Sequence, residues 1–283
     1  MSEPDTHAKE IVAPRAQVSA VIPCFRCGGS IRRAVTSVAR QSLLPAELIL
    51  VEDASGDGTL AILKDLQREF GEHWVKVIAL DSNSGPSGAR NAGWDAASNR
   101  YIAFLDADDA WHPRKMEVQH AFMESHPEVT LCGHRHLRLN DGDSLSTPLL
   151  RPGFRSISLG ALLLSNRFTP SAAMVRREVP LRFRPDKRRM EDHLLWMEIA
   201  SEGRPVARLN ELLAFQFKAP VGASGLSAQT WEMRKAELAN YWTLRDAGHL
   251  GLAATLALCA FSLAKHLIRS LLLAVPRERR KTR

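Results

Sequence analysis

The stretch FLDADDAWHP, residues 104–113, places three carboxylates, Asp106, Asp108 and Asp109, at the end of an apolar run. Like charges a few ångströms apart raise each other's pKa and repel, so this crowding calls for a counter-charge. Along an extended chain, residues i and i+2 share a face and i+1 takes the other. If the strand persists one step past Leu105, Asp106 and Asp108 converge while Ala107 turns away. Two converging carboxylates suit a hard divalent cation with oxygen ligands, Mg²⁺ or Mn²⁺, with positions left for a diphosphate. The alternative is a helix start, with Asp109 capping AWHPRKMEVQHAFM and Pro113 in its first turn. A cap uses one aspartate, and here there are three.

Other segments carry similar chemistry. Asp53, in EDASGDGT, follows an apolar run and is placed to hydrogen-bond a nucleobase or ribose. The same segment also reads as a tight turn through Gly56 and Gly58, with Asp57 capping the next helix. In GPSGARNAGW, Arg90 and Asn91 fall early in a helix. Arg90 is there either solvated or a fork toward a phosphate or a carboxylate. Glu191 and Asp192 open the helix EDHLLWMEIA, where simple capping by either competes with a chemical role for Asp192. The basic RREVPLRFRPDKRRM before it is a solvated face or a cradle for phosphates.

The elements that must position these groups follow an alternating pattern. VSAVIP (18–23), ELILVE (47–52), WVKVIAL (74–80) and YIAFLD read as buried strands. Between them lie a helix with Ile31, Val35, Val38 and Ala39, capped by Ser30, one with Leu60, Leu63, Leu66 and Phe70, and one over 88–98. Strands alternating with helices predict an α/β domain with a mainly parallel sheet. In such sheets ligands bind beyond the carboxyl ends of the strands, where CFRCGG, EDASGDGT and LDADDAW all fall. After residue 135 the pattern loosens. HLRLNDGDSLSTP reads as a loop, TPSAAMVRR (169–177) as a strand, RPVARLN and ELLAFQFK as two strands, and the remainder as helix.

At 283 residues the chain suffices for one large domain or for one domain plus an appendage. A hydrophobic content of 45% and a charged content of 24% are those of a soluble globular protein. The net charge of +7 permits anionic partners without choosing among nucleotides, nucleic acid and acidic lipid. Cys24, Cys27, Cys132 and Cys259 complete no zinc pattern and fit a reducing compartment. The polar start, MSEPDTHAKEIVAPRAQ, has no apolar h-region. Residues 250–275 are apolar apart from a stripe of Thr255, Ser262, His266 and Arg269, and only fifteen of them precede Lys265. That is short of the roughly 20 a membrane span needs. With five basic residues against one acid in PRERRKTR, the tail fits interfacial binding to anionic lipid, and packing against the domain is the alternative.

VSAVIPCF, SVARQSLLPAELILVEDASGDGT, NSGPSGARNAGW, YIAFLDADDAW and MEDHLLWMEIA occur in that order between residues 18 and about 200. Taken together they resemble the family 2 glycosyltransferases, whose nucleotide-sugar-binding domain has the GT-A fold. The resemblance implies a Rossmann-like domain with a mostly parallel central sheet, expected over 18–218. A flexible tail (1–17) would precede it and a helical extension (219–283) would follow. It implies inverting transfer of a sugar from a nucleoside-diphosphate donor to an acceptor hydroxyl. By similarity Asp53 contacts the base and Pro23 and Phe25 border the nucleotide. Asp106 and Asp108 form the D-x-D metal motif, and Asp192 is the catalytic base. The helix dipole with Arg188 and Arg189 would keep Asp192 ionised. Glu52 stands where the family usually has an aspartate, and RCGG replaces a more usual asparagine. The partners implied are a nucleotide-sugar donor, with uridine compatible and guanosine or thymidine open, and a glycan or lipid-linked glycan acceptor of cell-surface polysaccharide synthesis. Nucleic acid is not among them. The expected location is cytoplasmic, with peripheral contact at the inner membrane face. Two rivals are a nucleotide-sugar-binding protein without turnover and a phosphotransferase with an aspartate nucleophile.

Overall fold

The computed structural model describes residues 15–140, 143, 152–217 and 230–274, with side chains in the last helix to residue 268. Its first part is a set of βα units: β1 (Arg15–Cys24), α1 (Ile31–Ala39), β2 (Leu44–Glu52), α2 (Thr59–Phe70), β3 (Val75–Ala79), α3 (Gly85–Asp95) and β4 (Tyr101–Phe104). Next come β5 (Asp109–Trp111), α4 (Lys115–Ser125), β6 (Leu131–Arg138), β7 (Phe154–Ser156), α5 (Leu159–Leu164), β8 (Met174–Arg176), α6 (Glu191–Ser201) and β9 (Val206–Gln216). Two helices, α7 (Thr230–Asp246) and α8 (Leu252–Ala274), complete the described chain.

The sheet runs β3-β2-β1-β4-β8-β6-β9-β5, with β7 beside β9. β3, β2, β1 and β4 are parallel throughout. Beyond them β8 and β5 pair antiparallel with their neighbours while β6 and β9 run parallel. The inner strands read as unbroken apolar runs because both faces are covered. Ala20, Ile22, Leu48, Leu50 and Ala103 face one core, against α1, α2 and α4. Val21, Ile49, Val51, Ile102 and Phe104 face the other, against α3, α6 and α7. Gly93 is needed in this second layer, since a Cβ there would lie 2.4 Å from a methyl of Val21. Side-chain alternation thus makes three layers from one sheet.

Several local expectations differ from the structure. Ser30 holds the N-cap position of α1, but its side chain caps no helix amide and its hydroxyl donates to the Cys27 carbonyl. α3 starts at Gly85, whose φ of +71° turns the chain into the helix, and Pro86 occupies the first turn without needing its missing N–H. Residues 169–177 split into a 3₁₀ turn, Pro170–Ala172, and the short β8. RPVARLN and ELLAFQF form one strand, β9. Its polar Asn210 and Glu211 fall where the pairing with β6 slips from Gly133↔Arg208 to Arg135↔Leu212, and such an irregularity absorbs them without ending the strand. His136–Arg138 complete β6, while residues 141–142 and 144–148 of the expected loop lie outside the described residues. So do residues 1–14, most of the expected N-terminal tail.

Candidate active site

The three acidic residues sit on a turn between strands. The Asp109 amide donates to the Asp106 carbonyl at 3.0 Å, so the chain bends through 107–108. Convergence therefore comes from this turn, not from an extended step past Leu105. Asp109 is also no helix cap. It begins β5, which crosses over to pair with the end of β9, Asp109 against Gln216, and α4 starts only at Lys115. One oxygen from each of Asp106, Asp108 and Asp109 lies within 4.8 Å of the others. Three hard carboxylate oxygens so close together fit a divalent cation of the Mg²⁺ or Mn²⁺ kind.

Each acid is held by a different neighbour. The Ser171 hydroxyl donates to Asp109 Oδ2 at 2.6 Å and accepts from the Asp106 amide at 3.1 Å. Arg33, from α1, donates to the Asp108 carbonyl at 2.8 Å and lies over the Phe217 ring. Arg90 binds Asp106 Oδ1 through Nη2 and Glu191 Oε1 through Nη1, both at 2.8 Å, with its own side chain 5% exposed. Burial works against the guanidinium's charge, and the two carboxylates more than offset it, raising its pKa above the ordinary value. Both forked nitrogens of Arg90 thus serve carboxylates. The fork joins the acidic turn to the start of α6.

Asp53 follows the last residue of β2 and is almost fully buried. Its Oδ1 accepts from the Ser84 amide at 2.7 Å and its Oδ2 from Asn83 Nδ2 at 3.1 Å. Burial raises its pKa, opposed by the amides of Ser84 and Gly85 at the start of α3. The neighbouring Glu52 accepts from the Ser55 amide, which closes the turn after β2. Asn91 bonds both the amide and the carbonyl of Phe183, and Ser87 donates to the Lys187 carbonyl. α3 thereby anchors the basic loop that delivers Arg188, Arg189 and the first turn of α6.

Asp192 occupies that first turn, behind Met190, whose φ of 56° is left-handed. Asn166 Nδ2 donates to its Oδ2 at 2.9 Å. Burial pushes the Asp192 carboxyl above its usual range, against the pull of Arg90 and the Asn166 bond. The expectation that the dipole, Arg188 and Arg189 simply keep it ionised therefore needs revision. Burial dominates, and the cation acting on it is Arg90. A carboxylate made more basic in this way is a better proton acceptor near neutral pH.

These residues share one cleft of about 730 Å³ beyond the ends of the parallel strands. Pro23, Phe25, Asp53, Arg90, Asp106, Asp108 and Asp192 all line it, together with Arg188, Arg189 and Phe217. Phe25 is 46% exposed, an apolar ring held at the rim. Sequence reading passed over Arg33, Asn83, Ser84, Asn166 and Ser171, and treated Glu191 only as a cap. Asn83 and Ser84 could have been flagged from the turn-rich DSNSGPSG. Nothing in the sequence links Asn166 to Asp192 or Ser171 to Asp109.

Comparison with known proteins agrees with this arrangement. TuaG, a putative teichuronic acid biosynthesis glycosyltransferase of Bacillus subtilis, is 33% identical over 199 residues, covering 70% of this chain and 77% of its own. WfgD of Escherichia coli is a UDP-Glc:α-D-GlcNAc-diphosphoundecaprenol β-1,3-glucosyltransferase. It is 36% identical over 106 residues, 38% of this chain and 40% of its own. The crystal structure of S. aureus TarS 1–349 with UDP-GlcNAc superimposes with a TM-score of 0.66 at 18% identity, covering 93% of this chain and 77% of that one. The Pyrobaculum calidifontis mannosyltransferase PcManGT, with GDP-Man and Mn²⁺, gives 0.63 at 16% identity, covering 94% and 83%. These likenesses establish the GT-A fold. With residues 19–181 matching the model described as glycosyl transferase family 2, the chain belongs to that family and is a glycosyltransferase.

Proposed function

We propose that the enzyme moves a sugar, with inversion, from a nucleoside-diphosphate donor to a hydroxyl of a glycan or lipid-linked glycan acceptor in cell-surface polysaccharide synthesis. The observation that carries this reading is that the acidic turn and Asp192 line one cleft, with Arg90 tying Asp106 to Glu191, the residue before Asp192. The acceptor oxygen attacks the anomeric carbon, and the bond to the diphosphate breaks on the opposite face, its electron pair leaving with the phosphate. The acceptor proton passes to Asp192, whose raised pKa suits it to that task. Asp106 and Asp108, with Asp109 beside them, would hold Mg²⁺ or Mn²⁺, which when bound supplies positive charge to the departing diphosphate. Arg188 and Arg189 border the same space and add to that field. Asp53 and the Phe25 rim receive the nucleoside.

A uridine donor is supported by the UDP-GlcNAc in the TarS structure, and a metal by the Mn²⁺ in PcManGT. A lipid-linked acceptor is supported by the diphosphoundecaprenol substrate in WfgD's name. The test is a thermal-shift panel of nucleotide sugars with and without Mn²⁺, followed by transfer assays on the best donor. The expected result is metal-dependent stabilisation by a UDP-sugar, retained in Asp192→Asn, with transfer by that variant lower by about 10²–10⁴-fold. Undiminished transfer by Asp192→Asn would overturn the base assignment.

A further inference from the structure

α8 is folded inside out. A helix on a soluble protein ordinarily buries its apolar stripe and shows water its polar one. Here Thr255 and Ser262 are fully buried. Ser262 donates to Glu237 Oε2 at 2.8 Å and accepts from Arg234 at 2.7 Å, both on α7. Lys265 reaches back to the Leu164 carbonyl of α5 at 2.9 Å and lies 3.5 Å from Glu237. The polar stripe is therefore the glue to the body of the enzyme. Every exposed side chain between Leu252 and Ile268 is apolar. Leu252, Leu256, Phe261, Leu263, Leu267 and Ile268 are 41–60% exposed. A contiguous apolar face of this kind on a soluble protein marks an interaction surface.

The composition around the face identifies its partner. Residues 276–283, next in sequence, hold Arg277, Arg279, Arg280, Lys281 and Arg283 against the lone acid Glu278. On α7, Trp231 and Trp242 are 48% and 38% exposed, and the Trp231 ring lies 5.5 Å from His266 of α8. Lys235 and Arg245 lie over these two rings. Tryptophans with adjacent cations beside an apolar face are the composition of a membrane–water interface. Among the described residues no helix is long and apolar enough to cross a bilayer. We infer that the outward face of α8 lies in the plane of an anionic lipid surface, with the cationic run that follows it adding electrostatic attraction. The same contacts link this surface to the chemistry. Tyr241 of α7 donates to the Leu163 carbonyl of α5, and two residues past α5 Asn166 donates to Asp192. The helices that carry the docked face are thus joined by hydrogen bonds to the segment that holds Asp192, whichever donor the enzyme uses.

Co-sedimentation of the full chain with vesicles tests this. Binding is expected to vesicles of equal parts phosphatidylcholine and phosphatidylglycerol, weaker with phosphatidylcholine alone, and falling as salt rises. The double variant Leu256→Ser/Leu263→Ser is expected to lose at least about tenfold in affinity, because two exposed leucines no longer enter the apolar layer. Both side chains are exposed, so the variant's melting temperature and donor-induced thermal shift stay near wild type. Those readouts also separate a failure here from a failure of the donor reading. Equal vesicle binding by variant and wild type would overturn the inference. So would a wild-type dimer, made monomeric by the same substitutions, that ignores both vesicles.

Discussion

The two walls of the cleft are built differently. On the wall proposed to take the donor, Asp53 is fixed by Asn83 and Ser84, 30 and 31 residues away, across the next turn of adjoining βα units. On the other, the proposed acceptor wall, Glu191 takes Arg90 from 101 residues away, and Asn166 reaches Asp192 across 26. Even the acidic turn, which belongs to the first wall by sequence, is secured by Ser171, 62 residues on from Asp109. The first wall repeats one local rule, while the second is assembled from crossings. Both share one device. Arg26, Ala54 and Met190 are the described non-glycine residues with positive φ, and each adjoins a site residue: Phe25, Asp53 and Glu191. Left-handed backbone costs about 1–2 kcal/mol at a non-glycine position, so surrounding contacts must hold these turns in place.

Arg90 joins the walls, and removing it is the strongest way to break the comparison. Arg90→Met keeps the length of the side chain and removes the guanidinium that bridges Asp106 and Glu191. Breaking a buried ion pair in this way costs about 3–5 kcal/mol, which urea or thermal unfolding measures directly. Adding Glu191→Gln to Arg90→Met is expected to recover part of that loss, because one buried charge is then gone. A loss below about 1 kcal/mol for Arg90→Met would mean that the walls stand independently.

The same division explains what the sequence made legible. VSAVIP, ELILVE and YIAFLD could be placed because strands covered on both faces are apolar without interruption. The turns after them could be placed because functional carboxylates lie at strand ends in such sheets. That Asp109 begins a strand was not legible, because its pairing with Gln216 depends on β9, more than 100 residues later. β9 was divided because Asn210 and Glu211 look like a break unless the slip against β6 is known. α8 was read correctly as apolar with a polar stripe. Only the hydrogen bonds of Ser262, donated to Glu237 and accepted from Arg234, reveal that the stripe faces inward.

A second test sharpens the contrast by asking what each wall costs the fold. Burial raises the folded pKa of Asp192 above its unfolded value. A carboxyl of this kind contributes stability below its unfolded pKa and loses it as pH rises through the folded one. At neutral pH the ionised group therefore carries a cost that an amide lacks. Asp192→Asn is expected to melt higher than wild type at pH 7, by on the order of 1 kcal/mol. The gap should close as acid protonates Asp192 in the wild type. A variant less stable than wild type at pH 7 would show that Arg90's attraction outweighs burial there.

Asn166→Ala gives the most specific expected change. The Asn166 amide favours the charged form of Asp192, so its loss raises that carboxyl's pKa further. The acid limb of the kcat/KM profile for transfer should then move to higher pH. On the alkaline plateau, where Asp192 is ionised in both proteins, the rates should converge. A single hydrogen bond to a charged group sets the scale, about 1.5–3 kcal/mol at most and less where water can replace the amide. If Asn166 merely supported the loop after α5, its removal would lower the plateau and leave the limb in place. The shape of the profile therefore separates tuning of the base from simple support of the acceptor wall.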